Sequence, residues 1–369
     1  ASDVYKRQAP DSPMIADWTG PYGGVPPWDK IAVGDFIPAF DHAIEAARAE
    51  IAAIAANPKK PTFENTMVAM ERGGAELTRL VNLFGVYSGN LNTGEVPEIE
   101  LVVYPKLAAF GDEVSQNEAL FKRVSAIYNG KEMKKLKPEE RRLVEDSYKR
   151  FVRNGANLDE AGKKRVAEIN QRLATLGTQF TQNQLKDEEA FTLIDKKSEL
   201  NGLPQSLIDG YAETAAAKGA SGKWAVANTR SAVDPFLTYS QNRKLREKVW
   251  RAFVNRGDNG GETDNNAIIA ETLKLRAERS KLLGYPTYAH WAIERQMAKT
   301  PDAAMDLMMR VWPKAVARVR EEVADMQAVA DAEGAKIKIE PWDYRFYAEK
   351  VRKAKYDLDF NEVKPYMQM

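Results

Sequence analysis

A mainly α-helical, multi-helix fold with one small β element near residues 190–230 is what this sequence predicts, and three observations predict it. Apolar residues recur at alternating steps of three and four through most of the chain, as in Val166, Ile169, Leu173, Leu176 and Phe180. That spacing lines one face of a helix. The runs are bounded by helix punctuation, such as Thr300 before Pro301 at one start and Gly284 before Pro286 at one end. The period changes only briefly, where 190–194 and 223–227 gather Phe, Val, Ile and Trp in short runs.

Residues 1–8 (ASDVYKRQ) have no apolar core of a signal peptide and are read as a non-native flank. Residues 9–38, rich in Pro, Gly and Trp, are expected to form an extended lead-in. An amino-terminal helical domain follows over 39–188. Its first helix carries Phe40, Ile44, Ala47, Ile51 and Ile54 and ends before Pro58. The next, over 62–90, carries Met67, Met70, Leu77, Leu80, Val81 and Phe84, with Gly73 and Gly74 loosening its middle. Pro105 should bend or split a helix over 98–114. Further helices are expected at 118–129, 138–154 and 159–185; the seam of the last is read as an intramolecular core rather than an intermolecular coiled coil, because it holds so few heptads.

A small α/β insertion over 189–232 contains a helix at 204–217, and 233–369 is a second helical segment. There a helix beginning near residue 240 places Leu245, Val249 and Phe253 on one face, with Arg246, Lys248 and Arg251 to the sides. The 257–263 turn breaks it. Asp264 is the expected N-cap of a second helix carrying Ile268, Ile269, Leu273, Leu282 and Leu283 and stopping at Gly284. The long helix over 300–333 has a stripe of Met305, Met308, Trp312, Val316, Val319, Val323 and Met326, read as core in preference to an adaptable groove, and Pro313 predicts a kink in it.

Composition removes several classes of function. The 54 basic and 53 acidic residues give a formal charge of +1, so the basic excess that marks nucleic-acid binding is missing. No cysteine is present, which excludes disulfides and thiolate zinc while leaving cytoplasm and periplasm both open. No run approaches the roughly 20 apolar residues that span a bilayer, so the chain is expected to be soluble, with no membrane partner.

Four phrases carry a resemblance. They are Asp17 to Pro27 (DWTGPYGGVPP), Pro61 to Thr66 (PTFENT), the run Tyr239, Ser240, Asn242, Arg243, Arg246 and Glu247 continuing through Arg256, Asp264, Asn265, Arg276 and Tyr285, and the set Pro341, Trp342, Asp343, Tyr344, Tyr347, Lys350, Arg352, Tyr356, Asp359, Val363, Pro365 and Tyr366. Together they resemble the thimet-oligopeptidase-like (M3) zinc metallopeptidases, nearer to the peptidyl-dipeptidase and oligopeptidase A members. The resemblance implies a neurolysin-like helical domain that forms a wall of a deep channel admitting short unfolded peptides. It covers only the amino-terminal, non-zinc portion, so 233–369 would lead into a zinc domain that is missing. Pro365, Tyr366, Met367 and Met369 have the look of a core-bound segment cut short, and an exposed apolar patch with self-association is expected.

The family's chemistry rests on an HExxH helix, in which two histidines at i and i+4 hold zinc and the glutamate serves as general base. Only His42 and His290 occur, and neither begins that motif. His290 and Glu294 share an i, i+4 spacing, but two ligands do not make a zinc site and a polar pair is the better reading. There is no glycine-flanked serine elbow, and GPYGG at 20–24 lacks the lysine of a phosphate loop. No catalytic, cofactor-binding or metal-ligating residue is therefore assigned. The expectation is an amino-terminal fragment of an oligopeptide-cleaving zinc peptidase, inactive alone, with zinc bound only in the full-length parent. The alternative is a non-catalytic helical module that binds peptides or regulates.

Overall fold

The computed structural model describes residues 12–19, 24–356 and 364–367. The flank at 1–8, most of GPYGG, and Asp359, Val363 and Met369 lie outside the described residues. The chain divides into two compact units: residues 1–179 with 270–291, and residues 180–269 with 292–369.

The first unit is helical. It contains α1 (Phe36–Ala55), α2 (Ala69–Arg72), α3 (Ala75–Asn90), α4 (Val96–Ser115), α5 (Glu118–Tyr128), α6 (Pro138–Arg153) and most of α7 (Glu160–Glu189). Phe36, Phe40 and Phe84 are essentially fully buried, and Phe84 meets the other two rings edge-on at centroid distances of 4.9 and 5.5 Å. This aromatic knot joins α1 to α3, and Val96, Ile99 and Val103 of α4 complete the cluster. A second cluster joins Met67, Leu120, Val124, Val144 and Phe151.

The PTFENT phrase has a local structural cause. Thr62 and Asn65 form a reciprocal capping box that opens a short π-helical turn over Phe63–Val68. The buried Arg123 of α5 then donates to the Asn57 carbonyl at 2.7 Å and to Asn65 Oδ1 at 2.8 Å, fixing the turn. The expected loosening at the glycines is a full break. Gly74 takes a left-handed φ of 71°, a conformation only glycine adopts without strain, and α3 starts afresh after it. Pro105 does not split α4, which runs unbroken through it. In α7, Val166, Ile169 and Leu176 are buried as the seam predicts, whereas Phe180 is 37% exposed.

The second unit holds the β element and the remaining helices. Strands β1 (Phe191–Ile194) and β2 (Trp224–Ala227) pair antiparallel, Phe191 facing Ala227 and Ile194 facing Trp224. Between them lies α8 (Gln205–Ala217), and α9 (Arg230–Tyr239) and α10 (Arg243–Val254) follow. The sequence reading, which starts its helix near residue 240, did not include α9, and Pro235 lies within it. Its Val233, Phe236 and Leu237, at i, i+3 and i+4, are buried with Ile194, Tyr211, Val226 and Val249.

Helix α11 (Asn266–Leu282) crosses the division between units, and α12 (Tyr288–Ile293) follows it. Gly284, with φ of 82°, ends α11 as expected: its N–H donates to Lys281 and the Tyr285 N–H to Ser280, a Schellman closure. The stripe assigned to α11 is corrected. Ile269 and Leu273 are 42% and 60% exposed, and the buried side is instead marked by Leu275 and Ser280. A small residue on a helix face permits close backbone approach, a signal that apolar periodicity overlooks.

The long α13 (Pro301–Ala332) is capped by Thr300, whose side chain accepts from the Ala303 N–H at 3.2 Å. Only its carboxy-terminal part is core: Met326 and Ala330 pack with Tyr347 of α14 (Tyr344–Tyr356). The reading of the whole stripe as core is overturned, because Met305, Met308, Trp312 and Val319 are 50, 53, 63 and 47% exposed. Periodicity reports that a face is apolar. It does not report that a neighbour in this chain covers that face.

Candidate functional site

Two of the phrases that carry the resemblance meet in the second unit. Asn242 caps α10 by accepting the Leu245 N–H at 3.2 Å, which sets Arg243 and Arg246 on one face at i and i+3. Both guanidiniums converge on Asp343, the residue just before α14, whose side chain is fully buried. Arg246 Nη2 donates to Asp343 Oδ1 and Arg243 Nη2 to Oδ2, each at 2.8 Å. Arg246 also donates to the Ser240 carbonyl at 2.7 Å and the Trp342 carbonyl at 3.2 Å, while its plane lies 4.2 Å from the Phe346 ring centroid. The expectation that Arg246 lies to the side of α10 is therefore corrected: it is 2% exposed. The buried charge is tolerated because each of the three guanidinium nitrogens has an acceptor, one of them a carboxylate. Burial alone would push the Asp343 carboxyl up, but the hydrogen bonds from Arg243 and Arg246 outweigh it and hold the group below the usual carboxylate range.

A second anchor fixes the loop between α10 and α11. Asp187, near the end of α7, accepts the Gly257 N–H at 2.7 Å, the Asn259 side-chain amide at 2.8 Å and the Thr263 hydroxyl. Gly257 sits at φ of 70°, and a Cβ there would fall 2.9 Å from the Asn265 side chain, so both conformation and space require glycine. Asp264 does accept an orphan N–H, that of Asn266 at 2.8 Å, while its other oxygen takes the Gly260 N–H at 2.8 Å. Sequence reasoning missed Asp187 and Asp343 as partners. The only signal was indirect: a glycine-rich loop and a pair of arginines both need acceptors, and the acceptors lie dozens of residues away.

The histidines do not come together. His42 on α1 lies 3.8 Å from Glu76, and the exposed His290 ring contacts the Thr287 hydroxyl at 2.8 Å. Among the described residues no group of three or more His, Cys, Asp or Glu could hold a metal ion. The described residues do not fit a zinc site, which needs three protein ligands or more. No helix among the described residues is long and apolar enough to cross a membrane.

What the second unit does present is an apolar face. Over the first half of α13, Met305, Met308, Met309, Val311 and Trp312 are each at least half exposed. A contiguous apolar surface of this kind marks an interaction site or drives association. The purified chain should therefore self-associate with rising concentration in sedimentation. Changing Met308 and Trp312 together to Glu should return it to a monomer without loss of helical circular dichroism. An unchanged association constant in that double variant would place the sticky surface elsewhere.

The profile of Peptidase family M3 matches residues 236–369, the segment that contains α10, Asp343 and α13. The dipeptidyl carboxypeptidase of Escherichia coli K12 is 37% identical over 359 residues, covering 97% of this chain and 53% of that protein. The chain is a relative of the M3 peptidases. Oligopeptidase A of Haemophilus influenzae is 29% identical over 348 residues, covering 93% of this chain and 51% of the relative. Saccharolysin of Saccharomyces cerevisiae is 22% identical over 317 residues. This M3 relative thus spans about half the length of the curated proteins it matches.

Proposed function

We propose that the chain supplies the amino-terminal, non-zinc half of a zinc metallopeptidase that hydrolyses oligopeptides, of the peptidyl-dipeptidase or oligopeptidase type. In that whole protein it forms a wall of the substrate channel, whose narrowness admits short unfolded peptides and turns away folded proteins. The half that carries HExxH would hold the zinc, which would there supply Lewis-acid activation of the peptide carbonyl and of water. One observation carries the reading: nearly all of this chain aligns with only half of a dipeptidyl carboxypeptidase at 37% identity. The absence of HExxH from the sequence and the open face of α13 support it. The carboxy-terminal zinc half is the expected partner for that face, in a soluble protein.

The chain purified by itself and incubated with zinc should hold the metal well below one equivalent. It should also leave a quenched fluorescent oligopeptide uncut. Stoichiometric zinc in the dialysed protein together with steady cleavage would contradict the reading outright.

A further inference from the structure

The first unit has a partly open cavity of about 690 Å³, within the size range of small-molecule sites. Much of its wall is apolar, supplied by Ile51, Met70, Leu77, Phe110 and Phe151. Three of its polar residues form one hydrogen-bonded chain from separate helices: the buried Asp112 of α4 and the partly buried Asn170 of α7 and Arg279 of α11. Asp112 is 7% exposed, and its Oδ1 accepts the Asn170 amide at 2.6 Å. Asn170 Oδ1 in turn accepts Arg279 Nη1 at 2.7 Å, so one side-chain amide stands between the two charges. The Arg279 guanidinium also lies 4.6 Å from the centroid of Trp291, which lines the same cavity.

Two atoms of this set are left over. Asp112 Oδ2 and Arg279 Nε are both buried and have no hydrogen-bond partner. Folded proteins leave few such groups, because each forfeits its hydration without replacement. Here one lone acceptor of negative charge and one lone donor of positive charge flank the same amide, in a cavity large enough for a guest.

We propose that this cavity binds a small zwitterion with an apolar side chain, an amino acid or a dipeptide. Its ammonium would be taken by Asp112 Oδ2, its carboxylate by Arg279 Nε–H, and its side chain by Phe151, Met70 and Leu77. The exposed Arg150 and Glu71 are the other charged groups on the wall. The state of Asp112 supports this assignment. Burial pushes its carboxyl up to about 6 against the Asn170 hydrogen bond and the Arg279 charge, so an ammonium on the free oxygen would further favour the charged form. The site lies wholly within the first unit and does not depend on the peptidase reading.

Calorimetric titration of the full chain near pH 7.5 tests it, with L-leucine and L-alanyl-L-leucine as zwitterions and N-acetyl-L-leucine and L-leucinamide as singly capped controls. At least one zwitterion should bind saturably, and each cap should weaken binding roughly 10- to 100-fold, the loss expected for one charged hydrogen bond. Binding of leucine or of the dipeptide alone identifies the natural source by size. Asp112→Asn, which keeps the shape and the contact to Asn170, should weaken binding by a similar factor. Should that variant fail to fold, the comparison of capped and free ligands on the unaltered chain still decides. No heat from either zwitterion, or equal affinity for capped and free forms, would overturn the proposal.

Discussion

Asp343→Ala is expected to destabilise the second unit by about 3–5 kcal/mol, because it strands the buried guanidinium of Arg246 and takes the acceptor from the more exposed Arg243. Arg246 is the more damaging of the two, since at 2% exposure it cannot swing back to solvent. The remaining bonds to the Ser240 and Trp342 carbonyls engage Nη1 and Nε but leave Nη2 and the charge without a partner. Asp343→Asn should fall between wild type and Ala, keeping one acceptor while losing the charge. Urea denaturation followed by circular dichroism measures both. The pH dependence has a definite sign. A carboxyl whose folded-state value lies below its ordinary 3.8 stabilises fully above that value and loses the contribution as pH falls further, through the folded-state value. The contribution of this ion cluster should thus be intact above about pH 4, and Asp343→Asn should remove that acid-side slope. A loss below about 1 kcal/mol for the Ala variant would show that the cluster is not a buried, fully paired one.

Phe84→Ala should cost a comparable 3–5 kcal/mol in the first unit. The ring is 1% exposed and packs edge-on against Phe36 and Phe40, so its removal leaves a cavity lined by aromatic groups that cannot collapse. Phe84→Leu should recover much of the loss by filling part of the space. Because α1 and α3 meet through this knot, the Ala variant should also speed proteolysis between them, at the glycine break before α3. Equal stability of Ala and wild type would mean that the two helices are held by other contacts.

The helices were legible because an amphipathic stripe and its caps are local. Thr300 capping α13, the left-handed Gly284 ending α11 and the two short strands all follow from residues within a turn or two of each other. What was not legible is non-local. Arg246 read as a flanking charge because its partner, Asp343, lies 97 residues away in sequence and no periodicity connects them. The α13 stripe read as core because Met305, Met308 and Trp312 obey the same spacing as Met326, and spacing alone cannot tell a covered face from an open one. α9 went unassigned, and in it burial of Val233, Phe236 and Leu237 overrides the penalty of Pro235 inside a helix. The Asp112, Asn170 and Arg279 set had no signature at all, since three helices must pack before those side chains share a cavity.

The most direct test of the central claim is to read the coding DNA beyond the Met369 codon. The account predicts an open reading frame that reaches an HExxH motif within the next few hundred codons, giving a protein about twice this length, in line with the relatives of which this chain covers about half. A stop codon immediately after Met369 would contradict it, and would leave a helical protein without zinc chemistry whose function must be sought in what it binds.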